Sequence, residues 1–248
     1  MNFVKYTSQL VIATSALTLS LGLIEVNPAQ AASITWKTGG NFISNPSAID
    51  TSGTIIEAIN FGSNDQTVNA GGINVTFQNS VGAGKTQFGN PPLAGTFVTL
   101  SSLSGSSAPW DKVISQFVYD TDNTQLINNF LTGLTIGQQY QIELFAYDDR
   151  NTLGNNRNIV NQYFFDGNGN NSPTFTLGTG TSIVGTFTAD ATTQDIGFSA
   201  NPDPVLNAYI LSTVTSGGGT PPTSIPEPTI LASLLIVSSR LFTSRKQK

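Results

Sequence analysis

An all-β fold built as an antiparallel sandwich is what this sequence predicts, on three observations. Short stretches rich in β-branched and aromatic residues recur between clusters of Gly, Asn, Pro and Asp, the mark of strands joined by turns. No window of helical length keeps a 3.6-residue apolar period without Gly or Asn interrupting it. The 248 residues are 38% hydrophobic and include 15 Phe, enough for a sizeable core in one domain or two small ones. Many short strands at this spacing favour a jelly roll, flanked here by an N-terminal signal helix and a short C-terminal apolar helix.

Strands are expected near residues 33–37, 54–61, 72–78, 95–100, 113–119 and 125–132, and again near 139–147, 158–165, 173–177, 183–188, 194–199 and 206–213. The segment from Tyr140 to Tyr147 shows the patterning. Alternation places Tyr140, Ile142, Leu144 and Ala146 on a core face. Gln141, Glu143, Phe145 and Tyr147 fall on the other, expected to be half-exposed and concave. Just before it, the run Leu131 to Tyr140 looks like a corner in which a Tyr hydroxyl bonds back to the backbone, so Tyr140 is expected to be structural.

The two ends have a different composition. Lys5 precedes an apolar stretch from Leu10 to Ile24, and a small-residue site at Ala29-Gln30-Ala31 follows, the pattern of a secretory signal peptide cut after Ala31. At the other end a Gly/Pro/Thr linker over 215–224 leads to Pro226-Glu227-Pro228, an apolar run through Val237, and a basic tail with Arg240, Arg245, Lys246 and Lys248. The expected organisation is therefore signal peptide 1–31, sandwich 32–214, linker 215–224 and C-terminal signal 225–248. Eleven residues separate Pro228 from Arg240. As a helix at ~1.5 Å each they fall short of a hydrocarbon core ~30 Å thick, so spanning requires Arg240 to snorkel or the segment to run on through Leu241 and Phe242.

This tail resembles the PEP-CTERM sorting signal, carried by Pro226, Glu227, Pro228 and the basic Arg240 and Arg245. The resemblance implies export by the general secretory route and a transient inner-membrane intermediate in a Gram-negative bacterium. It further implies processing by an exosortase and release to the cell surface or exopolysaccharide matrix. Basic residues beyond the apolar segment stay inside, which leaves the body outside. The body is similar to exported PEP-CTERM proteins with a galactose-binding-like, malectin-like sandwich. The segments that carry this likeness are Gly53 to Gly62, the Leu-Thr-Gly-Leu-Thr corner, Leu144 to Arg150, Asp166 to Asn170, Gly185 to Asp190 and Asn207 to Ile210. Members of that wider group often bind carbohydrate, but the likeness transfers no sugar-contact positions.

Charge and composition exclude several classes of function. With no Cys and no His, thiolate metal sites, cysteine nucleophiles and histidine triads are absent. Residues 32–224 carry Lys37, Lys85, Lys112, Arg150 and Arg157 against thirteen acids, a net −8 that repels phosphate backbones, so no nucleic-acid partner is expected. No catalysis and no cofactor are expected either. The weighed alternative, a glycosidase using Glu143 with Asp148 or Asp149, would need carboxyls about 5 to 10 Å apart across a cleft.

The candidate site is carbohydrate-binding. Sugar recognition takes flat aromatic faces together with planar polar groups, and Tyr147, Asp148, Asp149, Arg150 and Arg157 supply that mixture around one loop. Trp110, after a Gly/Ser-rich loop, is a candidate stacking platform, and Trp36 is expected in the core. The plainer alternative for the loop is an Arg-Asp pair that fastens it. Asp166, Asn168 and Asn170 have the alternating oxygens of a calcium loop, and Asp120, Asp122 and Asn123 offer more, but a hairpin turn explains Asp166 to Asn170 without metal. Extracellular polysaccharide, the exosortase and, transiently, the inner membrane are the expected partners.

Overall fold

The computed structural model describes residues 31–43, 45–85, 98–100, 102–103, 105–152 and 155–214. All of the signal segment except Ala31, and all of the sorting segment, with Ala29, Pro226, Glu227, Pro228, Arg240 and Arg245, lie outside these residues, as do both expected terminal helices. Among the described residues no helix is long and apolar enough to cross a membrane.

The body is all-β, with its strands in several antiparallel sheets. The first half holds β1 (Thr35–Asn41), β2 (Thr54–Asn60), β3 (Gln66–Ala70), β4 (Ile73–Asn79) and β5 (Val98–Thr99). A one-and-a-half-turn helix α1 (Pro109–Ile114) follows, then β6 (Gln116–Tyr119), β7 (Thr124–Thr132) and β8 (Gln139–Phe145). The second half holds the small hairpin β9 (Asn151–Thr152) and β10 (Asn155–Asn156), then β11 (Asn161–Phe165) and β12 (Phe175–Thr176). It ends with β13 (Thr181–Thr188), β14 (Thr193–Ala200), β15 (Val205–Leu206) and β16 (Ala208–Thr213).

Seven strands form the main sheet in the order β1-β13-β8-β16-β2-β4-β3, and four form a second in the order β12-β11-β14-β7. All pairings are antiparallel except β2 with β4. Phe130 of β7 meets Tyr209 of β16 with ring centroids 4.9 Å apart, which joins the two sheets through aromatic packing. The expected corner is present: the Thr135 N–H donates to the Tyr140 hydroxyl at 2.8 Å, and the Tyr140 ring stacks on Phe187.

Two local features depart from the expected elements. Pro109 opens α1 where its missing N–H costs nothing, and Trp110, Val113 and Ile114 bury one stripe, so the start of the expected 113–119 strand is helical. β3 was not expected, because Val68 and Ala70 are its only apolar residues. It forms because Gly71 and Gly72, at φ 62 and 97, turn the chain back onto β4.

The second face of β8 is not concave and half-exposed. Gln141, Glu143, Phe145 and Tyr147 are all buried, because Phe42, Asp50 and Trp110 of α1 lie against them. Phe42 makes edge contacts with Phe145 and Tyr147 at 5.3 and 6.4 Å, and Trp110 packs on Phe145 at 5.4 Å. Both faces of this central strand are therefore core.

Candidate functional site

As β8 leaves the main sheet it carries Asp148 into the interior, where its side chain is fully buried. A carboxylate there requires compensation. Arg150 supplies Nε and Nη2 at 2.8 and 2.7 Å, one to each oxygen, and Arg157 supplies Nε at 2.9 Å. The other arms of Arg157 donate to the Pro202 and Asp203 carbonyls, the latter at 2.5 Å. Arg157 is thus buried and fully committed, joining β8 to the 201–204 loop. Arg150 differs. Its side chain is 32% exposed, its guanidinium carbon lies 4.9 Å from the Phe117 ring centroid, and Asp148 holds its pKa above the usual arginine value.

Beside this clamp lies a cleft of about 200 Å³ lined by Val98, Tyr119, Arg150, Arg157 and Asp203. Tyr119 comes from the end of β6 and Asp203 from a loop in which it takes a left-handed φ of 49. The cleft brings together an aromatic ring, a pre-oriented guanidinium edge and a carboxylate, groups that suit a polyhydroxylated ring. Neither Tyr119 nor Asp203 was singled out from the sequence. Asp203 stands 46 positions beyond Arg157, and only the fold brings it close; the nearest sequence signal is the Pro-Asp-Pro run at 202–204.

The other expected contact residues are placed differently. Trp110 is 3% exposed, and its indole N–H donates to the Phe42 carbonyl, so it offers no free stacking face. Tyr147 is also buried, and its backbone N–H donates to Asn207 Oδ1 at 2.6 Å. Its phenol is pushed up to about 12, first by burial and then by the neighbouring Asp149 carboxylate. Of the six residues expected to contact sugar, Arg150 and Arg157 line the cleft, Asp148 orients them, and Tyr147 and Trp110 belong to the core. Asp149 is half-buried beside Tyr147. Trp36 is half-buried on the edge strand β1, with its indole N–H on the Asn170 carbonyl at 3.1 Å.

Glu143 takes no part in the clamp: it lies within β8, bonded by the Ser182 hydroxyl at 2.7 Å and the Asp50 N–H at 3.1 Å. Burial raises its pKa, while the Ser52 hydroxyl lowers that of Asp50. A second cavity of about 140 Å³ lies against Phe61, Phe130, Lys85 and Asn129, but its lysine is bonded to Glu57 at 3.0 Å.

In the loop Asp166 to Asn170 the two carboxylate oxygens of Asp166 serve hydrogen bonds. Asp166 Oδ1 accepts the Asn168 and Asn170 N–H groups at 2.9 Å, and Oδ2 accepts the Ile34 N–H at 2.7 Å and the Asn170 amide at 2.8 Å. This is the bonding of a turn, with both carboxylate oxygens already filled. Asp120 likewise accepts the Asp122 N–H at 2.9 Å. Among the described residues no three acidic side chains gather as a metal site would require. The chain matches no protein-family model and no curated protein.

Proposed function

We propose that the body is a non-catalytic carbohydrate-binding module of an exported surface or matrix protein, with the cleft between Tyr119, Arg150 and Asp203 as its glycan contact. The observation that carries the reading is Arg150: Asp148 fixes its plane, yet a third of its side chain remains open toward a ring and a carboxylate. A guanidinium held in one orientation loses little entropy on bonding vicinal hydroxyls. The seven-stranded sheet packed on the four-stranded one is compatible with a galactose-binding-like jelly roll, and the PEP-CTERM resemblance supplies the route: secretion, a transient inner-membrane stage, exosortase processing and release at the surface of a Gram-negative bacterium.

A second reading, a structural matrix protein with no sugar site, is favoured by Arg157, whose every arm is used to fasten loops. Calorimetry of the exported protein with the producing organism's own exopolysaccharide separates the two. On the first reading, wild type binds saturably and Arg150→Ala or Tyr119→Ala weakens binding about tenfold or more without moving the melting curve far. Wild-type protein that binds no polysaccharide transfers the weight to the structural reading. Reducing ends released from the polysaccharide would restore the enzyme reading. The tail is tested apart from the body: Pro226→Ala with Glu227→Ala is expected to leave unprocessed protein in the membrane, and normal release would overturn the sorting proposal.

A further inference from the structure

The loop Asp166 to Asn170 holds the first described residues of the chain. Ala32 is 4% exposed, Ile34 N–H bonds Asp166, Ser33 Oγ accepts the Asn170 amide at 2.7 Å, and the Asn168 amide donates to the Ala31 carbonyl. Two features of this loop leave it short of a positive charge and of one donor. Asp166 is 1% exposed, yet its bonded partners are all neutral N–H groups, and among the described residues no Lys or Arg pairs with it. A buried carboxylate answered only by dipoles favours a nearby cation. Asn168 Oδ1 is buried with no hydrogen-bond partner.

We infer that this loop is a docking site for a primary ammonium, the one released at Ala32 when the leader is cut after Ala31. The inference rests on the leader reading. Hydrolysis adds water across the Ala31 carbonyl carbon and Ala32 nitrogen: the carboxylate departs with the leader, and the nitrogen becomes an ammonium. Within one peptide unit the oxygen and nitrogen share a carbon, at about 1.23 and 1.33 Å, so an amide that reaches the Ala31 oxygen already lies beside the new charge. Turning the Asn168 amide over aims its unpartnered Oδ1 at the ammonium, an acceptor where a donor stood. The acids facing the loop, Asp166 from within it and Asp195 of β14 beside Gly167, add attraction of the same sign. Because Ala32 is buried in the folded body, the bond is protected once docking is complete, and the cut precedes it.

The full chain is exported from a bacterial host, the N-terminus of the product is sequenced, and its α-amine is acylated with acetic anhydride across a pH series, folded and in urea. The expected product starts at Ala32, and its amine reacts about tenfold more slowly folded than unfolded, with its titration displaced upward from the ordinary value near ~8. Asn168→Ala is expected to recover most of the lost reactivity, whereas Asn168→Asp, which keeps the acceptor, slows it further. A product that starts at Ala32 and reacts equally fast in both states overturns the docking site and leaves the leader reading standing. A product that starts elsewhere overturns the leader reading and the docking site with it.

Discussion

Arg150 and Arg157 are the same side chain on the same carboxylate, and burial separates their roles. Arg157 lies inside with Asp148 and two loop carbonyls, so Arg157→Ala leaves Asp148 to Arg150 alone and strands the Pro202 and Asp203 carbonyls in the interior. A loss of about 3 to 5 kcal/mol is expected in urea unfolding, from one charge-assisted bond and two buried acceptors left unsatisfied. Arg150→Ala leaves Asp148 still bonded to Arg157, and the exposed part of Arg150 is screened by water, so a loss below about 2 kcal/mol is expected. Equal losses for the two variants would mean that the clamp does not distinguish an inner from an outer arm. A Lys at 157 is not expected to rescue, since an ammonium cannot reach the carboxylate and both carbonyls in that fork geometry.

At the scale of elements, Gly197 of β14 stands opposite Phe165 of β11, and the aromatic ring lies over the missing side chain. A Cβ at 197 would fall 2.1 Å from the ring, so Gly197→Ala is expected to cost about 1 to 3 kcal/mol by displacing it. The same change in a Phe165→Ala background is expected to cost much less, and a double-mutant cycle that proves additive would rule out this packing. Such pairs also mark what the sequence disclosed. Strands β2, β7, β8 and β14 stand within a residue or two of their expected places, because each combines β-branched or aromatic residues with clear turn signals. β1 runs later than expected because Ala31 to Ile34 bond the Asp166 loop and not a neighbouring strand. Helix α1 escaped notice because a single stripe of three apolar residues is too short to display a period.

Across the whole molecule, the clamp was legible as a cluster of charge, but the cleft was not. Alternation assigned the Phe145 and Tyr147 side of β8 to a ligand face, and it cannot register that Phe42 and Asp50 return to cover it. That covering layer also traps Glu143, and the pH dependence of stability follows from it. Desolvation raises the Glu143 pKa in the folded protein, opposed by its bonds from Ser182 and the Asp50 N–H. Above the ordinary value of 4.5 the folded state then holds this proton more tightly than the unfolded state, so stability declines as pH rises through the folded value. Asp50 acts in the opposite sense: its pKa is lowered, so its contribution is present above the ordinary 3.8 and is lost as pH falls through the folded value beneath that. From these two groups a stability maximum is expected in mildly acidic solution, with Glu143 protonated and Asp50 ionised. Urea unfolding across pH, in wild type and Glu143→Gln, tests this. The variant is expected to lose the decline toward neutral pH, because a neutral amide carries no desolvation penalty for charge. A wild-type profile that is flat from 4.5 to neutrality, or one that Glu143→Gln leaves unchanged, would show that the buried carboxyl does not set the pH response.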